Sequence, residues 1–418
     1  SVVEPPASIA LSPLRAIELL ASSPRSRIVL CASSTGNELR PLLLKVMRVT
    51  QAEMDAAERV KREIALVSRT FNDFVVTSPG WFAAPGEAYL LLEYFPGGDI
   101  DLLIDRDGAL TAEAARFYTG CAALALEALH GLSVVHRDVK PDNMCIATDG
   151  YAKLCDLGYA RELRTGERAP TLLGTPEYLA PEGFLGEGQD ARSDIWSLGT
   201  SLYVMLLASH PYGGNSPQEL YHRVMNEPLF FPNNHFTFSA PAKALLSACL
   251  SRDATYRPTA AGLWSLDFFA KPLPPTTSVP ALDKEAMLRK SIRPPFVPRL
   301  TDPMDTRYFV HTEGSEDDED DSRDGDDGLG GEMAADGSRP GVVGGGGLRG
   351  RSRLKYLVIE HPDGDTCGAA ISQQDSVARM VRSDAALRLA EGAAEPDRYI
   401  PHPPVTVEDL MIATRCRS

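Results

Sequence analysis

The run His136-Arg137-Asp138-Val139-Lys140-Pro141-Asp142-Asn143, followed a short way on by Asp156-Leu157-Gly158, constrains this chain more than any other stretch. It starts where the apolar pair Val134-Val135 reads as a strand end, and Pro141 breaks regular structure. The run is therefore a loop held at a sheet edge. A carboxylate there, Asp138, can accept the proton of an incoming hydroxyl. Lys140 can reach a transferring phosphate. Asn143 and Asp156 offer hard oxygen donors suited to Mg²⁺. A chance Asp/Asn turn with an incidental lysine does not explain why a second acid follows as Asp-Leu-Gly. A chain with this set must fold so that two loops meet over a polyphosphate, where positioning and charge neutralisation supply most of the catalysis.

The 418 residues suffice for one two-lobed domain with appendages, and 43% hydrophobic against 24% charged residues predicts a packed core. The chain contains no apolar run of about 18 residues, so no membrane span is expected. Ser1 to Pro13 lacks the basic-then-apolar pattern of a secretory signal and an initiator Met, so this stretch reads as truncated or processed. Seven cysteines, scattered and never in a CxxC pair, argue against a disulfide framework or zinc site and fit reduced thiols in the cytoplasm or nucleus. Of the net charge of −15, nine units come from Glu313–Asp327, where ten acids face one base, Arg323. The remainder carries no basic stripe of the kind that binds nucleic acid.

Short apolar runs at Arg27–Cys31 and Leu42–Val49 predict strands flanking a Ser33–Asn37 turn, and Tyr89–Phe95 predicts another strand. Gln51–Ser68 has helical periodicity. From Asp99 helices dominate, at Thr111–Leu132, Asp194–Ser209, Pro217–Asn226, Pro241–Ser251 and Thr259–Phe269. The pattern predicts an α+β, bilobal fold: a small β-rich lobe over 14–95 and a larger helical lobe over 96–270, with a cleft at the join. Residues 271–312 read as a tail and 313–353 as an acidic, Gly-rich linker that is disordered by composition. Residues 354–418 form an extension of unknown role, with one candidate strand at Leu354–Glu360 and one candidate helix at Val377–Ala390.

Several further stretches resemble one family. Leu173-Gly174-Thr175-Pro176-Glu177-Tyr178-Leu179-Ala180-Pro181-Glu182 resembles the activation segment of eukaryotic protein kinases of the AGC serine/threonine group. Asp194-Ile195-Trp196-Ser197-Leu198-Gly199 resembles the kinase helix that anchors the catalytic loop, and Arg257 the arginine that pairs with Glu182. Pro294–Pro298 and Asp305–Phe309 resemble the AGC carboxy-terminal tail. The resemblance covers roughly residues 14–310. It implies a protein kinase fold with ATP and Mg²⁺ as cofactors, Asp138 as base, Lys140 as phosphate stabiliser, and Asn143 and Asp156 as metal ligands. Lys45, centred in an apolar run, is the expected holder of the α- and β-phosphates, and a buried ammonium needs an anionic partner. Glu63 is that partner by spacing, with Glu58 and Glu53 as weaker alternatives. Leu92, with the backbone at Glu93 and Phe95, resembles the adenine hinge. Asp99 matches a ribose- and substrate-contacting acid. Phe309 matches the tail phenylalanine near adenine, or else is an ordinary apolar anchor.

The chain departs from that pattern at the phosphate loop, which should lie at Leu20-Ala21-Ser22-Ser23-Pro24-Arg25-Ser26-Arg27-Ile28. Ala21, Ser23 and Ser26 stand where related kinases carry glycine, and Pro24 lacks an amide donor. Either ATP binds more weakly to an active enzyme, or the chain is a pseudokinase scaffold. Retention of the base, the metal ligands and Lys45 favours activity. Thr171 matches an activation-loop phosphorylation site whose phosphate Arg137 and Arg161 can reach, which implies an upstream activating kinase. Thr175 resembles the threonine that contacts Asp138 and Lys140 and favours Ser/Thr substrates. Asp99, Asp142 and Glu177 can receive an upstream arginine of a protein or peptide substrate, while Val204 replaces a further acid. No nucleic acid, membrane span or obligate oligomer is implied.

Overall fold

Strands built from β-branched and apolar residues begin the described part of the chain. The computed structural model describes residues 14–23, 26–35, 38–48, 54–84, 86–169, 173–232, 238–273 and 280–309. Strands β1 (Leu14–Ser22), β2 (Ser26–Thr35) and β3 (Glu38–Arg48) pair antiparallel in sequence. Helix α1 (Met54–Arg69) follows, and the hairpin of β4 (Gly80–Ala84) and β5 (Glu87–Glu93) returns beside β3. The sheet order is β1-β2-β3-β5-β4. Helix α1 has one apolar face, and Val60, Ile64, Leu66 and Val67 bury it in a core shared with Phe74, Val75 and Leu90.

The second lobe is helical. Helix α2 (Ile100–Asp107) is capped by the Asp99 side chain, which accepts from Leu102 N–H, and α3 (Ala112–Gly131) by Thr111, which accepts from Ala114 N–H. Helix α3 is buried over most of its circumference, as its Ala- and Leu-rich sequence requires. Short strands β6 (Val134–Val135), β7 (Met144–Ile146), β8 (Ala152–Leu154) and β9 (Arg161–Glu162) form two antiparallel pairs, β6 with β9 and β7 with β8. Helices α4 (Pro181–Phe184), α5 (Ala191–Leu207), α6 (Pro217–Asn226), α7 (Ala240–Cys249), α8 (Asp267–Ala270) and α9 (Lys284–Leu288) complete the lobe. Asp190 and Ser193 cap the start of α5 reciprocally.

The fold is bilobal α+β. Two local expectations differ from it. Strand β2 continues to Thr35 and β3 resumes at Glu38, so Ser33–Thr35 belong to the ladder and not to a turn. Thr259–Phe269 is not one helix. Gly262–Ser265 makes a 3-10 turn, Leu266 is extended, and α8 then places Phe268 and Phe269 together in the core. Filling the core with two adjacent aromatics wins over the helical periodicity. The stretch expected as the phosphate loop lies in the β1–β2 hairpin, with Leu20–Ser22 in β1 and Ser26–Ile28 in β2. The acidic tract, the Gly-rich segment, and the candidate strand and helix beyond it lie outside the described residues. Among the described residues no helix is long and apolar enough to cross a membrane.

Candidate active site

The loop between β6 and β7 is fixed from below by one buried carboxylate. Asp194, in the first turn of α5 and fully buried, accepts from His136 N–H at 2.9 Å, Arg137 N–H at 2.8 Å and the His130 ring at 2.8 Å. His136 Nδ1 accepts from Asp138 N–H at 3.3 Å, so its Nε2 carries the proton and donates to the Cys155 carbonyl at 3.0 Å. Cys155 N–H in turn donates to the Asn143 carbonyl at 2.8 Å. These bonds tie the first loop to the second, which carries Asp156. Arg137 and Asp156 both have left-handed backbones, with φ of 68° and 57°. For non-glycine residues this is strained geometry held by its surroundings.

Asp138 is buried and hydrogen-bonded on both oxygens. Oδ1 accepts from the Thr175 amide at 3.0 Å and the Thr175 hydroxyl at 2.8 Å. Oδ2 accepts from Asn143 Nδ2 at 3.0 Å and faces Lys140 Nζ at 3.4 Å. Lys140 also donates to Thr175 Oγ1 at 2.7 Å. Asp138, Lys140, Asn143 and Thr175 therefore form one connected cluster.

A second cluster crosses between the lobes. Lys45 lies in β3 between Ile28 of β2 and Leu90 of β5. Its Nζ sits 2.7 Å from Glu63 Oε1 on α1 and 2.8 Å from Asp156 Oδ1. Glu63 is the acid that meets Lys45; Glu53 and the Glu58 side chain lie outside the described residues. Burial alone would lower the Lys45 pKa, but the charges of Asp156 and Glu63 outweigh it and hold the ammonium well above the lysine range. Asp156 feels the same contest. Burial pushes it up, but the Lys45 charge and hydrogen bonds prevail and bring it down to about 2. For Glu63 burial prevails and the pKa is raised. A Cβ on Gly158 would stand 3.1 Å from Asp156 Oδ1 and 3.3 Å from Glu63 Oε2, so this glycine leaves room for both carboxylates.

The side chains present fit a hard divalent cation. Asn143 uses Nδ2 for its bonds to Asp138, which leaves Oδ1 as a donor to a metal. Asp156 keeps 43% of its side chain exposed and is already ionised. Among the described residues no three His, Cys, Asp or Glu side chains converge on a metal position. The oxygens of Asn143 and Asp156 suffice for Mg²⁺, which takes one or two protein ligands and completes its shell with water and phosphate.

At the hinge, Leu92 and Phe95 are buried. The Glu93 carboxylate accepts from Thr77 N–H at 2.7 Å, Thr77 Oγ1 at 2.9 Å and Lys153 Nζ at 2.9 and 2.7 Å. Sequence reasoning placed Glu93 here for its backbone and missed the part its side chain plays. Burial pushes the Asp99 carboxyl up to about 8, against the Leu102 N–H bond that lowers it, with nearby Asp142 and Asp101 adding to the rise. Burial likewise raises Glu177. Phe309 stacks on Tyr94 with centroids 5.8 Å apart, in an apolar cluster with Leu20, Ile28, Leu30, Leu43 and Met304. Phe309 is thus an apolar anchor of the tail against Tyr94. Ala21, Ser22 and Ser23 are exposed at the hairpin end.

Arg137 donates from Nε to the Tyr159 carbonyl at 2.7 Å, and its buried Nη1 has no hydrogen-bond partner. Burial, then the neighbouring charges of Arg161 and Arg62, lower its pKa to about 10. Arg161 pairs with Glu167 at 2.9 Å. Thr171 lies outside the described residues. Glu182 and Arg257 form a buried bidentate pair at 2.6 and 2.7 Å.

Comparison with known proteins gives a match of residues 26–269 to the family model described as protein kinase domain. The chain is 33% identical over 274 residues to serine/threonine-protein kinase gad8 of Schizosaccharomyces pombe, covering 64% of this chain and 45% of that protein. It is 34% identical over 251 residues to serine/threonine-protein kinase YPK1 of Saccharomyces cerevisiae, covering 59% and 35%. Identity to a cAMP-dependent protein kinase catalytic subunit-like protein of Caenorhabditis elegans is 29% over 303 residues, covering 72% and 73%. The chain thus spans less than half the length of the first two.

Proposed function

This chain belongs to the protein kinase family, and from that premise we propose that it is an active AGC-type serine/threonine kinase, which transfers the γ-phosphoryl group of ATP to Ser or Thr hydroxyls of proteins. The observation that carries the reading is the double pairing of Lys45 with Glu63 and Asp156. It joins the phosphate-holding lysine, its helix partner and the metal-holding acid across the cleft. Asp138 takes the proton of the substrate hydroxyl as the new P–O bond forms. Thr175 and Asn143 fix its carboxylate by hydrogen bonds to both oxygens. Lys140 neutralises charge on the moving phosphoryl group, and Lys45 orients the α- and β-phosphates. Asn143 and Asp156 are the residues that would hold Mg²⁺, which supplies charge neutralisation along the triphosphate.

Thr171 is the activating phosphorylation site. The unpartnered Nη1 of Arg137 and the nearby Arg161 support it as an anion pocket. Asp99, Asp142 and Glu177 favour an arginine upstream of the target residue. Residues 14–95 and 96–270 are the lobes, 271–312 the tail, 313–353 a linker and 354–418 a further extension. The free thiols of Cys31, Cys121, Cys145, Cys155 and Cys249 suit the reducing cytoplasm or nucleus. The scaffold reading draws on the glycine-free hairpin alone.

The deciding test incubates the purified chain with Mg²⁺, ATP and a degenerate Ser/Thr peptide library. Phosphate incorporation should fall at least 100-fold in Asp138→Asn, while nucleotide binding persists. Binding without transfer in the wild-type chain would favour the scaffold and end the catalytic reading.

A further inference from the structure

Two thiols on the β7–β8 pair take no part in the proposed chemistry. Cys145 lies opposite Lys153 in the ladder, and beyond the other end Cys155 N–H donates to the Asn143 carbonyl at 2.8 Å. Residues opposite one another, or two apart on one strand, share a face. Asn143, Cys145, Lys153 and Cys155 therefore stand on one face, with the two cysteines on its diagonal. That face lines the cleft. Asn143 Nδ2 donates to Asp138, and Lys153 Nζ reaches Glu93 at the end of β5. Cys145 also forms a β-bridge with Asp99, at the start of α2. The two thiols are free and within hydrogen-bonding reach of each other, and the Cys155 thiol lies 3.5 Å from the Lys153 carbonyl. Cys145 is half-buried and Cys155 buried.

We propose that Cys145 and Cys155 are a site of reversible disulfide formation, and that closing it displaces Asp156 and weakens the hold on Mg²⁺-ATP. The bridge stands on geometry alone; its effect on the nucleotide rests on the kinase reading above. The oxidant is a small-molecule disulfide, RSSR. The more open Cys145 sulfur loses its proton and attacks it, so that a mixed disulfide forms, the old S–S bond breaks and one RSH leaves. The Cys155 sulfur then attacks Cys145 Sγ, the mixed bond breaks and a second RSH leaves. Two protein thiols are oxidised and one disulfide is reduced to two thiols. The bond to Cys155, then burial, hold the Cys145 pKa well above the thiol range, so exchange is slow and the outcome is read at equilibrium. A diagonal pair is farther apart than a directly opposed one, so closure must draw the strand ends together. Asp156 follows Cys155 directly, with φ of 57° and its Oδ1 2.8 Å from Lys45 Nζ. Movement of Cys155 is passed straight to it. A bridge that needs such movement is also easily reduced, so free thiols reopen the site.

The test equilibrates the full chain in glutathione buffers of rising oxidised fraction. Disulfides are then mapped by peptide mass spectrometry, and the Kd of Mg²⁺-ATP is measured by calorimetry on the same samples. Wild type should yield a linked Cys145–Cys155 peptide. Its Kd should rise about tenfold on oxidation, the loss of one charge-assisted contact, and return with dithiothreitol. Cys155→Ser should stop at a glutathione adduct on Cys145. In Cys145→Ser/Cys155→Ser the Kd should not depend on the buffer. Absence of the linked peptide in every buffer would overturn the site. A linked peptide with an unchanged Kd would overturn the coupling to Asp156. If the reduced chain does not bind Mg²⁺-ATP, the kinase reading fails together with the nucleotide effect, while the linked peptide still decides the bridge.

Discussion

At the scale of single residues, the site works by setting carboxylates in opposed environments. Asp156 is held ionised by Lys45, whereas Asp99, half-buried beside Asp142 and Asp101, is pushed up to about 8. The two have opposite linkage. Asp156 contributes stability above the ordinary Asp pKa and loses it as pH falls through about 2. Asp99 binds a proton in the folded state that the unfolded chain releases, so its contribution falls as pH rises from about 4 through about 8. Asp99→Asn removes this titration but keeps an oxygen able to cap α2. The melting temperature of the wild-type chain should therefore decline relative to Asp99→Asn by roughly 2–4 °C per unit between pH 5 and 8. A constant difference across that range would mean that Asp99 is ionised throughout. Lys45 offers a second case. Lys45→Met should leave Glu63 and Asp156 facing each other unpaired, costing about 3–5 kcal/mol in denaturant unfolding besides the loss of turnover. Restored stability in Lys45→Met/Glu63→Leu would confirm that the cost comes from the stranded charge. The loop residues were legible because their types and intervals state their chemistry. Asp194 was legible through resemblance as the start of a loop-anchoring helix, without its individual bonds. That its carboxylate carries two bonds to the loop and one to His130 of α3 depends on how α3, β6 and α5 meet, which no local spacing encodes.

Elements with strong periodicity, α1, α3 and α6, appear close to where the sequence predicts them, because one-sided or all-round burial is written in their apolar spacing. The failures are segments whose conformation is set from outside. Ser33–Thr35 looks like a turn by composition, but the partner residues Glu38–Arg40 extend the ladder over it. Thr259–Phe269 looks helical, but Phe268 and Phe269 must both enter the core. The hinge shows the same dependence on partners. Lys153 on β8 stands three residues before Asp156 and clamps Glu93 at the end of β5, with its side chain 11% exposed. It thereby joins the end of β5 in one lobe, proposed to face adenine, to the strand that leads to Asp156, proposed to hold the metal. Lys153→Ala should raise KM for ATP about 3- to 10-fold and lower kcat little, because binding geometry and not the phosphoryl step is disturbed. Lys153→Arg, which preserves the pair, should recover most of the loss. An equal fall in kcat and kcat/KM would assign Lys153 to the chemical step instead.

Over the whole molecule, the stretch after the helical lobe returns to the hinge along a chain of anchors. Arg116 donates to the carbonyls of Lys271 and Pro280, Lys284 pairs with Glu127, and Lys290 pairs with Asp149. The Tyr151 hydroxyl donates to the Ile292 carbonyl at 2.7 Å. Arg106 lies 4.9 Å from the Phe296 ring centroid and 5.4 Å from that of Tyr308. The path ends where the Tyr94 hydroxyl donates to the Asp305 carbonyl at 2.7 Å and Phe309 stacks on the Tyr94 ring. Gly150 is the narrowest point of this path. Its φ is +84°, and a Cβ there would collide with the Phe296 carbonyl oxygen and stand 2.8 Å from Pro294 Cβ. Gly150→Ala therefore carries two costs, backbone strain of about 1 kcal/mol and displacement of the tail from the β7–β8 turn. The displacement should propagate, since Phe296, Tyr308 and Phe309 are held in series. We expect faster proteolysis within residues 290–309 and a several-fold higher KM for ATP, with Asp138 and its partners untouched. Tyr94→Phe breaks only the last anchor and should reproduce the KM change without exposing Pro294–Phe296 to protease. If Gly150→Ala opened the tail to protease and left KM unchanged, the tail would be a brace for the helical lobe and no part of the nucleotide site.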